Sequence, residues 1–215
     1  MKTAKSKLED AYTDALPAIE RICASEEDIS GPLFLSIPEG YERTEVRLMI
    51  VGQQTHGWPD VSIGLDGLIQ TYRDFDLARE YHSTPFWQAS HQVNEGVNPD
   101  GPERSFLWTN LVRSDQGKER PNPEVENTLS ELGLLEKEFE LLAPDAAIFF
   151  TGPNYDDRIR QVFPGVEFHK ESSDVARLTH PLLPAKSFRT YHPGYLWRAK
   201  KRGVIDSLVE AILSK

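Results

Sequence analysis

Apolar residues in this chain gather in two alternating patterns: short solid runs, and longer stripes that recur every three or four positions. The runs are Leu48-Met49-Ile50-Val51 within residues 46–58, Phe106-Leu107-Trp108 within 105–112, and Ala146-Ala147-Ile148-Phe149-Phe150 within 145–152. A solid run of this length predicts a strand covered on both faces, because neither side of it turns polar. Residues 186–191 are a fourth strand candidate and 166–169 a further short one. A loop over 31–41, set by Pro32, Pro38 and Gly40, could hold a short edge strand around Leu33 to Leu35.

The stripes predict helices. Residues 6–24 place Leu8, Tyr12, Ala15, Leu16, Ile19 and Ile22 at helical spacing, with Pro17 expected to kink or split the helix. Residues 64–81 carry Leu65, Leu68, Ile69, Tyr72, Leu77 and Ala78, and residues 85–93 open on Pro85, which suits a first turn. A long helix is expected over 123–142, a short one over 155–162 and a closing one over 197–213, while 94–104 and 179–185 read as loops. Strands joined by crossovers long enough to be helical predict a three-layer α/β/α domain with a mostly parallel central sheet of about four strands. No repeat or linker divides the chain, so residues 1–215 read as a single domain, with 1–44 as a helical lead-in and 45–213 as the core.

A length of 215 residues, 39% of them hydrophobic, is enough for one substantial core. The 24 basic residues against 34 acidic ones give a net charge of -10, which predicts solubility and argues against a uniformly basic, nucleic-acid-coating surface. A local basic patch is still compatible with that total. The single cysteine, Cys23, excludes an internal disulfide and an all-cysteine iron–sulfur or zinc site, and fits a reducing cytoplasm. Residues 1–10 are too charged for a secretory signal peptide, and no apolar run reaches membrane-spanning length. A cytoplasmic monomer with no membrane partner is expected.

Each strand candidate of the core ends in polar residues. The first is followed by Gly52-Gln53-Gln54-Thr55-His56-Gly57-Trp58, the second closes on Asn110, the third leads to Gly152-Pro153-Asn154-Tyr155, and the fourth to His192-Pro193-Gly194-Tyr195-Leu196-Trp197-Arg198. In a parallel sheet these loops gather on one rim, where open α/β sheets bind ligands. The first loop offers amide, hydroxyl and imidazole groups but no carboxylate, and Gly52 permits a sharp turn. Asn110 brings an amide to a strand end, able to read a carbonyl beside an N–H on a small heterocycle; its plainer alternative is to tie down its own turn. The six histidines, His56, His82, His91, His169, His180 and His192, show no metal-ligand spacing, so no metal is expected. Neither a phosphate-cradling glycine-rich loop nor Gly-x-Ser-x-Gly is present.

Three of these loops, in this order, resemble the motifs of the uracil-DNA glycosylase superfamily. Its first motif, a Gly-led loop after the opening strand, is matched by Gly52-Gln53-Gln54-Thr55; its His-Pro loop before the last helix by His192-Pro193-Gly194-Tyr195-Leu196; and its base-reading Asn by Asn110 in Leu107-Trp108-Thr109-Asn110. The resemblance spans about residues 45–213. It implies a pocket for a flipped-out, deaminated nucleobase in nucleic acid, DNA first, with a free nucleobase or nucleotide as the other ligand. Gln53 and Asn110 would bind the base, and His192 would stabilise the charge that develops as the N-glycosidic bond breaks. Leu196 falls at the superfamily's apolar wedge. Arg198, Lys200, Lys201 and Arg202 would hold phosphates, against the plainer reading of a solvated helix face. Trp58, Tyr72, Phe86 and Tyr155 are candidates to stack on the base. No cofactor is implied, and the superfamily's iron–sulfur branches are excluded by the cysteine count.

The sequence departs from the superfamily at Gln54. That position often carries an Asp that assists water attack at the sugar carbon, or in some branches an Asn that positions the water. Gln54 can hold a water but cannot take its proton. The resemblance therefore implies weaker or redirected hydrolysis, or a module that binds a base without cutting. His56, Asp60 and Asp66 lie close enough in sequence to substitute, although each reads first as a turn residue or a surface charge.

Overall fold

The computed structural model describes residues 2–81 and 83–214, so His82 lies outside the described residues. Six strands form one mixed sheet: β1 (Leu48–Gly52), β2 (Leu107–Asn110), β3 (Ala146–Phe149), β4 (Glu167–Lys170), β5 (Val175–Thr179) and β6 (Lys186–Thr190). Their order is β2-β1-β3-β6-β5-β4, with the first four parallel and β5 and β4 added antiparallel at one edge. Eight helices accompany them among the described residues: α1 (Ala4–Ser25), α2 (Gly64–Phe75), α3 (Pro85–Val97), α4 (Pro123–Glu131), α5 (Leu134–Leu142), α6 (Asp156–Val162), α7 (Pro193–Arg198) and α8 (Gly203–Leu213).

All five residues of β1 are buried, as a strand with a solid apolar run requires when both faces are covered. Side chains alternate, so register assigns the faces. Val51 pairs with Thr109 and Phe149, and this face meets α1 and α5: Phe149 stacks on Phe139, and Thr109 donates to Glu138. Ile50 pairs with Trp108 and Ile148, and this opposite face meets α2 and α3, where Trp108 packs on Tyr72 and Trp87. Below the α5 face, the fully buried Glu138 pairs with Arg113 at 2.8 Å and also accepts from Tyr12, tying α1, β2 and α5 together.

The structure corrects the sequence reading in several places. The sheet has six strands rather than about four, because residues 175–179 pair with β6 although Arg177 breaks their apolar pattern. Leu33 to Leu35 are buried but join no ladder; Leu33 is instead stitched to Arg113 through its own N–H and carbonyl. α1 runs unbroken through Pro17, since Thr13, whose carbonyl loses its partner, and Pro17 itself both lie on the solvent side. The expected long helix divides at Gly133, which adopts φ +64°, and the closing helix divides at Lys200, at φ +58°. α2 stops where Asp76, Leu77 and Ala78 take left-handed angles in succession, which turns the chain toward Tyr81. No helix among the described residues is long and apolar enough to cross a membrane.

Candidate functional site

A cleft of about 810 Å³ opens at the carboxyl ends of β1 and β2. Its polar pole is made by the 52–57 loop, Asn110 and His192, and its walls by Trp58, Phe75, Tyr81, Phe86, Trp87 and Trp108. The rings pack edge-on and tilted, with Trp58 5.8 Å from Trp108 and Trp87 4.9 Å from Trp108. The indole Nε1 of Trp58, that of Trp108 and the Asn110 Nδ2 are all buried without a hydrogen-bond partner. Buried donors of this kind cost stability unless a ligand completes them.

The register of β1 against β2 sets the pole. Gly52 is the partner of Asn110, and a Cβ at position 52 would stand 2.3 Å from Asn110 Oδ1. Gly52 is thus required for space, because the Asn110 amide lies over its Cα; its φ is not left-handed, and the positive-φ glycine of the loop is Gly57, at +73°. The Asn110 amide nitrogen is left free to donate to a ligand.

The loop itself is held by Asp115, a residue that the sequence reading passed over. This buried carboxylate accepts from Thr55 Oγ1 at 2.8 Å, Gly57 N at 3.0 Å, Trp58 N at 3.3 Å and Lys118 N at 2.8 Å. The available signal was a lone Asp just past a strand end, level with a loop rich in N–H donors. Gln53 braces the loop on the other side by donating to the Thr151 carbonyl at 2.8 Å, so its amide nitrogen is engaged in support.

His192 begins α7, and its Nδ1 accepts from Gly194 N at 3.1 Å. The ring proton therefore sits on Nε2, which makes the neutral imidazole a donor on that side. Burial, and after it the nearby Arg198 charge, hold this imidazole below the ordinary histidine range. Phe86 stacks on it with ring centres 5.7 Å apart.

Gln54 lines the cleft, and its Oε1 accepts from Tyr155 Oη at 2.5 Å. Burial pushes the Tyr155 phenol up to about 12, so it stays a donor. The Arg120 guanidinium lies 4.2 Å over the Tyr155 ring and is itself fixed by two bonds to Glu126. Gln54 thus offers its amide nitrogen, again a donor. Of the stacking candidates, Trp58 and Phe86 line the cleft, Tyr72 lies behind it on Trp108, and Tyr155 supports Gln54.

The wedge assignment is corrected. Leu196 is 0% exposed and belongs to the core, which leaves it no surface to insert into a base stack; its neighbour Tyr195 is 39% exposed and stacks on Tyr191. Arg198, Lys200 and Arg202 are exposed around the end of α7, with Arg202 over the Trp197 ring, whereas Lys201 is paired to Asp174 at 2.6 Å. Among the described residues no group of His, Cys, Asp and Glu is placed to hold a metal ion. No protein-family model matches the chain, and no curated protein matches it.

Proposed function

We propose that the cleft receives a nucleobase flipped out of nucleic acid and hydrolyses its N-glycosidic bond, in the manner of a divergent uracil-DNA glycosylase-like enzyme. The observation that carries this reading is the unpartnered, 2% exposed Asn110 amide seated over Gly52 at the foot of an aromatic-walled cleft. A planar base can stack on Trp58 or Phe86 while its polar edge completes Asn110, and His192 Nε2 can hold a carbonyl oxygen as negative charge builds on it. The parallel β2-β1-β3-β6 portion of the sheet supplies the rim, and the exposed Arg198, Lys200 and Arg202, which follow His192 within ten residues of sequence, are the cations that would hold phosphates.

The test is incubation of the purified protein with end-labelled single- and double-stranded oligonucleotides carrying uracil, hypoxanthine or another deaminated base, followed by alkali. A cleaved band that vanishes with His192→Ala or Asn110→Ala supports excision; no band on any substrate rejects it. One observation favours a second reading, a base-binding module without chemistry: the described residues that line the cleft include no carboxylate, and the Gln54 carbonyl is engaged by Tyr155. That reading requires saturable binding with no product.

A further inference from the structure

Resting on the hydrolytic reading, we propose that His56 is the general base that activates water in this cleft. Water attack is accelerated by a lone pair that takes the proton from water, and the amide of Gln54 cannot supply it. Among the described residues of the cleft only His56 and His192 carry an imidazole, and their backbone partners fix them in opposite senses. His192 Nδ1 accepts from Gly194 N, so its Nε2 carries the proton and can only donate. His56 Nδ1 lies 2.9 Å from the Lys118 carbonyl oxygen, which only accepts. Nδ1 therefore holds the proton, and the neutral ring keeps its lone pair on Nε2.

The loop gives His56 the rigidity that a base requires. The residues on either side of it, Thr55 through its hydroxyl and Gly57 through its N–H, are anchored on the same Asp115 carboxylate. The nearby acids do not compete. Asp60 accepts from Ser62 N at the start of a 3-10 turn, Asp66 is exposed on α2, and neither lines the cleft; Asp115 is buried and occupied by its four donors. In the step itself, His56 Nε2 takes a proton from water as the water oxygen bonds to the sugar C1′. The C1′–N bond breaks and its electron pair leaves with the base, whose carbonyl oxygen is held by His192 Nε2–H. The base then takes a proton from solvent, and His56 returns its own.

The experiment compares single-turnover excision by the full-length wild type, His56→Ala and His56→Asn. Asparagine keeps an N–H where Nδ1 stood, preserving the bond to Lys118, but supplies no base. Both variants are expected to lose at least ~100-fold in rate, with affinity for the base-containing oligonucleotide kept within about threefold of wild type, a change of less than ~1 kcal/mol. Added imidazole is expected to restore part of the rate in His56→Ala. An undiminished rate in His56→Asn overturns the assignment of His56 and leaves hydrolysis standing. A loss in His56→Ala that imidazole does not restore also overturns it. A wild type that excises none of the bases overturns both this inference and the hydrolytic reading.

Discussion

A single methyl group at position 52 tests whether the pairing of β1 with β2 exists to seat the Asn110 amide. A Cβ there would stand 3.4 Å from Phe86 Cζ, an ordinary contact, and 2.3 Å from Asn110 Oδ1, which must open to no less than 3.0 Å. The amide therefore has to retreat by at least 0.7 Å, the difference between those two distances. Overpacking a closed site costs about 1–3 kcal/mol. For a chain of this size each kcal/mol lowers Tm by roughly 2–4 °C, so Gly52→Ala is expected to lower it by about 2–12 °C. A displacement approaching 1 Å in a positioning group also weakens function by up to ~100-fold. The assay is a four-member cycle of wild type, Gly52→Ala, Asn110→Ala and the double variant, melted by calorimetry and titrated with nucleobase. Because the overlap is with the Asn110 amide, the methyl group becomes nearly free once that amide is gone, giving a coupling of about 1–3 kcal/mol. Asn110→Ala alone also removes a buried donor whose lack of a partner costs about 1–3 kcal/mol, so its Tm holds while base binding falls. An equal cost of Gly52→Ala in both backgrounds would refute this account of the glycine.

Leu196→Ala is expected to cost about 2–5 kcal/mol of stability as a core truncation; a variant that melts like wild type yet fails on duplex substrate would restore the wedge. His192 titrates below the ordinary histidine value, so the unfolded chain takes up the proton first as pH falls. The stability held above roughly pH 6.5 is then lost toward the lower folded value. An NMR titration should show that lowered midpoint, with Arg198→Gln moving it upward; an unmoved midpoint rejects the contribution of the Arg198 charge. Asp115→Asn exchanges an acceptor for a donor facing backbone N–H groups and is expected to lose about 3 kcal/mol. It should also expose the Gly57 and Trp58 amides to hydrogen exchange, and full protection of both would count against the clamp. Exposed cations that meet phosphates give binding a salt slope of about -0.9 per duplex contact; a slope near zero would point to a free nucleobase instead.

Strands β1, β2 and β3 were legible because each lies in a short apolar run with polar residues at its carboxyl end, and burial on both faces leaves no other way to use such a run, whereas β6, Lys186–Thr190, carries only Phe188 as a large apolar residue. β5 was not, since this strand between β6 and β4 has one face open to water, buries only Ala176 and Leu178, and carries Arg177 and Thr179 exposed. Helix breaks at Gly133 and Lys200 escaped for a different reason: helical periodicity continues across them, and only the backbone angle reveals the stop. At the site, the chain positions of Gln54, Asn110 and His192 were readable, but their supports were not. Asp115 holds the loop through the Gly57 N–H, 58 residues away in sequence, Tyr155 reaches Gln54 across 101, and Arg120 acts through a ring face, and no local pattern encodes those. Leu196 shows the opposite error, in which motif position suggested exposure while packing under α7 had already claimed the side chain.

The energetics of the cleft divide the work between its walls and its rim. Stacking a base on aromatic side chains contributes about 1–3 kcal/mol per base, and each neutral hydrogen bond completed at Asn110 or His192 adds roughly 0.5–1.5 kcal/mol. Together these reach about 2–6 kcal/mol, which holds a free base no more tightly than tens of micromolar and in the weaker cases not even at millimolar concentration. Extruding a base from a duplex costs a few kcal/mol more. On the proposed reading the deficit would be met by phosphate contacts, and on a chain of net charge -10 those would come from a local group such as Arg198, Lys200 and Arg202 rather than from the surface as a whole. Lys201 cannot be counted among them while it is paired to Asp174. If the cleft takes a flipped-out base as proposed, with the Asn110 pole for recognition and a few cations for affinity, substrates in which the base is already unstacked would be favoured, because they would spare the protein the extrusion cost that its acidic surface is poorly equipped to meet.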